Sequence, residues 1–397
     1  MSKNDQFNAS ASMLGYLYQI RYGLLLSLKK LAEVADPELI NMSIELLDDV
    51  SFDKEGVPED LLQTKFHSKP GNLTNSSPDI WKTIRVWVEA INTGKIELGK
   101  VVLTLVTTEA LPKKSIAIQL GMGNERDIES ALKTMLEISE GENKTNAKGY
   151  QAFKTLSKVQ KKAFLNSIYM IGASDDLLRI REKMKPIARQ SVPNNAADAF
   201  INHIEGQWFA WCIDLLSQTP TGVINLGNLQ DLIDLIRPQY LSTNLPAEFT
   251  DALPDIIDVD GDLRVFIQQL RLFKASKNML ELAIKNYYRA FEQRNKWSKD
   301  GLLNPGELGS FDQKLEDNWK EKQSFLELFE IIGTEQEKLV YSAKLYQSCQ
   351  VDGIEPIRPE FIEGYLSKGS YHILADNLKI GWHPEYKQLV AANEDVA

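Results

Sequence analysis

Four polar side chains in one short stretch have the types and spacing to do chemistry together: Glu45, Asp49, Gln63 and Lys65. Residues 40–52 read as a strand, with Ile40, Met42, Ile44, Leu46 and Val50 alternating, so Glu45 and Asp49, four apart, share a face under the period-two rule. Lys54-Glu55-Gly56 reads as a turn and 59–67 as the returning strand of a hairpin. On that second strand Gln63, Lys65 and His67 share one face, while Leu62, Thr64 and Phe66 occupy the other. Two carboxylates, an amide and an ammonium gathered at the end of a buried hairpin are costly unless they bind something. A hard divalent cation accounts for the set. Mg²⁺ takes oxygen ligands octahedrally and keeps several waters, so two carboxylates and an amide oxygen suffice, and Mn²⁺ accepts the same donors. A lysine beside such an ion can orient or deprotonate a water and neutralise charge developing on a phosphate. On spacing alone, the same residues also suit the solvated face of an edge hairpin.

The elements that would position these groups follow from the rest of the pattern. Residues 10–34 read as a helix, with Ser10 or Ser12 able to cap its start and Asp36-Pro37 to stop it. Residues 77–93 read as a second helix whose face is Ile80, Trp81, Ile84, Trp87, Val88 and Ile91. The run at 100–107 is the strongest strand, its continuous apolar character pointing to burial on both faces. Helices are expected at 125–139 and 150–164, a short strand at 168–171, and helices at 174–188, 195–217, 225–236, 260–297, 307–331 and 335–349. The expected architecture is an α/β module followed by a mostly helical part. The boundaries are 1–190 for the module, 191–255 for a helical connector around Pro238, Pro246 and Pro254, and 256–397 for a helical C-terminal domain.

A net charge of −10 disfavours a protein that coats nucleic acid through its overall field. The charge is uneven, however. From Lys148 to Arg189 ten Lys and Arg face three acids. This stretch is either a plain helix surface or a phosphate-contacting track, and Lys158, Lys161 and Lys162 are the candidates to touch DNA in the second case. Cys212 and Cys349 form no CxxC pair, which disfavours a zinc site or a disulfide framework. No apolar run reaches the length of a membrane span and the first residues are polar, so a cytoplasmic protein is expected. Neither a Walker A motif nor GxSxG occurs, so any ATP hydrolysis belongs to a partner and serine-hydrolase chemistry is disfavoured. Asp258-Val-Asp260-Gly261-Asp262 lacks the closing Glu of a calcium loop and reads as a turn. His67 reads as a strand histidine that could assist the site, and His372 and His383 as structural.

The pattern Gly15-Tyr-Leu-Tyr-Gln19, then Ile44-Glu45-Leu-Leu-Asp48-Asp49-Val50, then Leu62-Gln63-Thr64-Lys65, followed by Ile80 to Trp87 and Val106-Thr107-Thr108, resembles the Cap-type double-stranded DNA endonuclease domain, a PD-(D/E)xK nuclease of bacterial anti-phage systems. The resemblance covers about residues 10 to 190 and implies a restriction-endonuclease-like fold. Within it Asp49 is the implied metal ligand, Glu45 a second ligand or its support, Gln63 a carbonyl ligand, and Lys65 the catalytic lysine. Gln19 would reach the site from the first helix. Asp48 remains an alternative ligand, though face parity with Glu45 favours Asp49.

A second resemblance lies in Asn286 to Trp297, Gly306-Glu307-Leu308, Leu315 to Trp319, Gly369 to Asp376 and Ile380 to Pro384. These are similar to the C-terminal domain of effector subunits in ABC three-component systems such as Lamassu. This implies docking on an SMC-like ABC ATPase and a small third subunit, with activation by self-association on release. Three readings follow: a Mg²⁺-dependent endonuclease effector, a non-catalytic adaptor with a degenerate nuclease fold that binds DNA or a partner, and a stand-alone nuclease.

Overall fold

The computed structural model describes residues 3–218, 222–330 and 332–394. The chain divides into two compact units, residues 1–191 with 200–235, and residues 192–199 with 236–397. The expected connector is thus shared between them.

In the first unit, strands β1 (Ile40–Ile44), β2 (Val50–Lys54), β3 (Val57–Lys65), β4 (Val102–Thr107), β5 (Ile168–Ile171) and β6 (Ile224–Asn225) form one sheet in the order β5-β4-β3-β2-β1-β6. β1, β2 and β3 run antiparallel, whereas β3, β4 and β5 run parallel. The β2–β3 turn sits where expected, with Glu55 and Gly56 both at positive φ. The expected single strand over 40–52 is instead two strands joined by a loop, 45–49, that carries both Glu45 and Asp49. The shared-face argument for those two acids therefore fails, because they leave the pleat.

Two helices flank this sheet. α1 (Lys3–Leu31) starts earlier than expected, so Ser10 and Ser12 fall inside it. Its Tyr18 ring lies 5.4 Å from Phe66, and its Lys30 pairs with Asp60 at 2.5 Å. α2 (Pro78–Asn92) is started by Ser77, whose side chain accepts from the Asp79 N–H, with Pro78 in the first turn. It buries Ile80, Trp81, Ile84, Trp87 and Val88 in a core shared with Leu61, Leu103, Leu105, Ile168 and Met170. Burial of each such side chain contributes about 1.5–3 kcal/mol. β4 is not buried along its whole length: Val102 is 40% exposed while Leu103, Leu105 and Val106 are fully covered.

The remaining helices of this unit are α3 (Ile116–Gln119), α4 (Ile128–Ser139), α5 (Ala147–Thr155), α6 (Lys158–Ser167), α7 (Leu177–Ala188), α8 (Ala197–Ser217) and α9 (Leu226–Ile236). The expected helix at 150–164 is broken because Ser157 caps a new one, its side chain accepting from the Gln160 N–H while the Gln160 side chain bonds back. Gly149 allows α5 to cross α2 closely, since a Cβ there would lie 2.4 Å from the Trp81 carbonyl oxygen.

The second unit holds α10 (Val265–Leu272), α11 (Lys277–Lys299), α12 (Glu307–Phe329), α13 (Glu335–Val351), α14 (Gly364–Asp376) and α15 (Tyr386–Glu394). One expected helix, 260–297, is two, separated where Lys274 takes positive φ and Ser276 caps α11. α11 and α14 approach so closely at Gly369 that a Cβ there would lie 2.0 Å from the Asn286 carbonyl oxygen. Trp297 Nε1 donates to the Pro246 carbonyl at 2.8 Å, and Trp319 Nε1 to that of Gly381 at 3.0 Å, so both buried indoles are satisfied. Asp258 accepts from the Gly261 N–H at 2.9 Å, forming the expected turn.

Cys212 and Cys349 are buried free thiols, and burial pushes both up to about 12. Among the described residues, no helix is long and apolar enough to cross a membrane.

Candidate active site

Gln63 and Lys65 lie at the C-terminal end of β3, the strand that pairs antiparallel with β2 on one side and parallel with β4 on the other. The carboxyl ends of parallel strands, where connections diverge, are the usual place for ligands in such sheets. The 45–49 loop folds over this end and is closed by a hydrogen bond from the Glu45 N–H to the Asp49 carbonyl at 3.4 Å.

Asp49 is the hub. Its Oδ1 accepts from Gln63 Nε2 at 3.0 Å, and its Oδ2 accepts from the Thr64 N–H at 2.7 Å and from Thr64 Oγ1 at 3.0 Å. Lys65 Nζ stands 3.8 Å from Asp49 Oδ2 and donates to Gln63 Oε1 at 2.7 Å. Asp48 is also buried. Its carboxylate accepts from Trp87 Nε1 at 2.6 Å, from the Asp49 N–H at 3.1 Å, and from Gln63 Nε2. Burial first, and then the neighbouring Asp49 charge, push Asp48 up to about 7 against the donors of Trp87 and Gln63. Glu45 is raised as well, by burial and then by Asp49, while hydrogen bonding from Gln19 and the Lys65 charge oppose the shift. Gln19, Glu45, Asp48, Asp49, Gln63 and Lys65 thus form one neighbourhood.

The donor set can be tested against a hard cation. The carboxyl groups of Glu45 and Asp49 share the single Lys65 ammonium, with Asp48 adjoining Asp49. Gln19 is only 8% exposed and its Oε1 is buried with no hydrogen-bond partner. Excess carboxylate beside an unsatisfied amide oxygen fits Mg²⁺ or Mn²⁺. Glu45 and Asp49 are the carboxylates available to such an ion. Gln63 presents Nε2 to the acids and Oε1 to Lys65, so serving as an oxygen ligand requires its terminal amide to turn over.

Glu45 has φ 58°, a left-handed conformation that costs a residue with a Cβ about 1–2 kcal/mol. Of two variants that both lack the carboxylate, Glu45→Gly is expected to be about 1 kcal/mol more stable than Glu45→Ala in urea unfolding. Equal stabilities would show that the loop is not strained at this residue.

The other candidate residues fall elsewhere. His67 is past the end of β3, with Nε2 2.7 Å from Asp79 Oδ2. Lys161, on α6, donates to the carbonyls of Lys154 and Leu156 at the end of α5 and is partly buried, which lowers its pKa. Lys162 pairs with Glu129. Lys158 is exposed, and none of the three bonds to the Asp49 cluster among the described residues. In the wider basic stretch Lys154, Arg181, Lys183 and Lys185 also pair with acids, so much of its local charge is neutralised. Sequence reasoning missed Thr64, placed on the opposite face, and Trp87, read only as core. A buried indole N–H needs an acceptor, which is the one signal that pointed to a polar partner for Trp87.

Residues 266–390, within the helical unit, match the family model described as C-terminal domain 7 of the ABC-three component (ABC-3C) systems. Two solved structures of the Acinetobacter baumannii Cap4 SAVED/CARF-domain containing receptor, one with the cyclic trinucleotide 2'3'3'-cAAA and one with 3'3'3'-cAAA, are similar at 11% and 12% identity, each with a TM-score of 0.30. The similarity covers 71% of this chain and 58% and 61% of theirs, so the chain spans about three-fifths of the length of those chains. A TM-score of 0.30 lies below what a shared fold requires. No curated protein matches the chain.

Proposed function

We propose that the first unit is a Mg²⁺- or Mn²⁺-dependent endonuclease of double-stranded DNA, with a PD-(D/E)xK-type site, and that the chain is the effector subunit of an ABC three-component defence complex. The observation that carries the catalytic half is the meeting of Asp49, Gln63 and Lys65 within 2.7–3.8 Å at the C-terminal end of β3. The matched domain at 266–390 supports the assembly half, since a three-component system supplies partners for it. An SMC-like ABC ATPase and a small third subunit are the proposed ones, docked through the helical unit and restraining the nuclease.

Glu45 and Asp49 would hold the cation; Gln63, as oriented, keeps its Oε1 on Lys65 and would join them only by giving up that bond. When bound, the ion supplies a Lewis acid for the scissile phosphate and an acidified water. The chain's own groups do the rest. The two Thr64 donors fix the Asp49 carboxylate through one oxygen. Trp87 fixes Asp48, and Asp48 holds the Gln63 amide in place. Gln63 in turn directs the Lys65 ammonium, which can stabilise negative charge on a phosphate and orient the attacking water. Lys158 is exposed and has no acid paired to it among the described residues, and it is the proposed phosphate contact.

One such site cuts one strand, so a double-strand break needs two copies facing opposite strands. Activation is therefore proposed to accompany self-association. Incubation of the chain and its complex with supercoiled duplex DNA tests the reading. Cleavage is expected with Mg²⁺ and none with a chelator. A protein that binds DNA or its partners, yet neither binds Mg²⁺ nor cuts, would instead be an adaptor.

A further inference from the structure

We propose that His67, Asp79 and Glu109 form a second cation site, selective for a divalent transition metal such as Zn²⁺, distinct from the Asp49 cluster. The proposal does not depend on the nuclease reading. One ligand atom from each of the three residues can be chosen so that all lie within 4.8 Å of one another. That is a span one ion with bonds of about 2.0–2.2 Å can close with small side-chain movements.

Three separate elements deliver these atoms, and their backbones are fixed. His67 follows β3 and is locked to the loop after β4, its N–H donating to Thr108 Oγ1 at 2.9 Å and its carbonyl accepting from that hydroxyl at 3.2 Å. Glu109 is held between two extended segments: its carbonyl accepts from the Ala173 N–H at 2.6 Å, and the adjoining Ala110 N–H donates to the Gly71 carbonyl at 3.0 Å. Asp79 sits in the first turn of α2.

The charge balance points the same way. Asp79 and Glu109 bring two carboxylates together with only one imidazole between them. His67 contacts Asp79, but the half-buried Glu109 carboxylate has no hydrogen-bond or ion-pair partner among the described residues. Two carboxylates without enough positive charge are satisfied by a cation. The imidazole nitrogen decides which kind. Nitrogen donors favour Zn²⁺ over Mg²⁺ or Ca²⁺, which prefer all-oxygen sets. None of the three side chains bonds to Asp49, Gln63 or Lys65 among the described residues, so the two sites use different ligands. A metal here would pin the ends of β3 and β4 to α2, bracing the strand that carries Gln63 and Lys65.

The test is Zn²⁺ titration by calorimetry on the full chain, together with Asp49→Asn, His67→Ala and Glu109→Gln, each checked for fold by circular dichroism. One Zn²⁺ per chain is expected in wild type and in Asp49→Asn. In His67→Ala and Glu109→Gln, affinity is expected to fall by at least the ~100-fold that losing even an outer partner of a ligand can cost. Should His67→Ala fail to fold, the near-isosteric Glu109→Gln decides. Unchanged affinity in Glu109→Gln, or no Zn²⁺ bound by wild type, overturns the proposal. Zn²⁺ lost in Asp49→Asn but kept in Glu109→Gln would place the metal at the other site, overturning this inference while leaving the nuclease reading standing.

Discussion

Lys65→Ala is expected to lose metal-dependent DNA cleavage by at least about 100-fold, the cost of removing one preorganised charge-stabilising donor from a reaction centre. The ammonium is held by Gln63 Oε1 at 2.7 Å and by Asp49 at 3.8 Å, so it is placed before any substrate arrives. The protein should survive the change. The Lys65 side chain is 23% exposed, and a partly exposed ion pair of this length is worth up to about 1 kcal/mol. Lys65→Arg is expected to fail too, because a planar guanidinium cannot replace a compact ammonium at one point. Cleavage rates at saturating Mg²⁺, with circular dichroism as the folding control, read both effects. A Lys65→Ala protein that cuts duplex DNA as fast as wild type removes the lysine from the mechanism.

The largest stability loss is expected in the helical unit, at Arg358. Its Nε and Nη2 grip both oxygens of Glu307 at 2.7 and 2.9 Å, while Nη1 and Nη2 donate to the carbonyls of Asn244 and Leu302 at 2.7 and 2.8 Å. The two side chains are 9% and 13% exposed. Arg358→Ala leaves a largely covered carboxylate without its counter-charge, the Asn244 carbonyl without a partner and the Leu302 carbonyl with only Asn195 Nδ2 at 3.5 Å, and is expected to cost about 3–5 kcal/mol. Replacing both partners, as Glu307→Gln with Arg358→Met, is expected to cost much less, because no charge is stranded. The pH dependence has a fixed sign. Burial alone raises Glu307, but the Arg358 hydrogen bonds, the Asn304 N–H and the Arg358 charge hold it below its ordinary 4.5. Its contribution is therefore fully present above pH 4.5 and is lost as pH falls through the depressed value, so wild type and variant should converge in acid. Denaturant unfolding at pH 7 and pH 3 measures this, and a constant difference would contradict it.

Much of this arrangement was legible in residue order, for reasons specific to each element. The Gln63–Lys65 pair survived because β3 is regular from Asp60 to Lys65, past the register shift near Glu59, and alternation of side chains is a local property. The acids were placed together for the wrong reason. Glu45-Leu-Leu-Asp48-Asp49 has no Gly, Pro or Asn, and its two Asp, which strands disfavour, were the one sign of a loop. The left-handed turn at Glu45 is imposed by pairing of β1 with β2, and no local preference announces it. Asp48 was undervalued because its burial depends on Trp87, thirty-nine residues away on α2. Lys161 read as a free surface charge because the carbonyls it caps belong to a helix end that the pattern ran together with the next helix. That break was readable, as Ser157 and Gln160 form a capping box. Ser276 gave a weaker signal of the same kind.

Crystals of the chain grown or soaked with Mn²⁺ and examined by anomalous scattering test the cation centre most directly. The expected result is a manganese peak ligated by Asp49 and Glu45, with the Lys65 ammonium beside it and the peak lost in Asp49→Asn. A protein that cuts DNA with no manganese at Asp49, or with Glu45 and Lys65 turned away from it, would contradict the assignment.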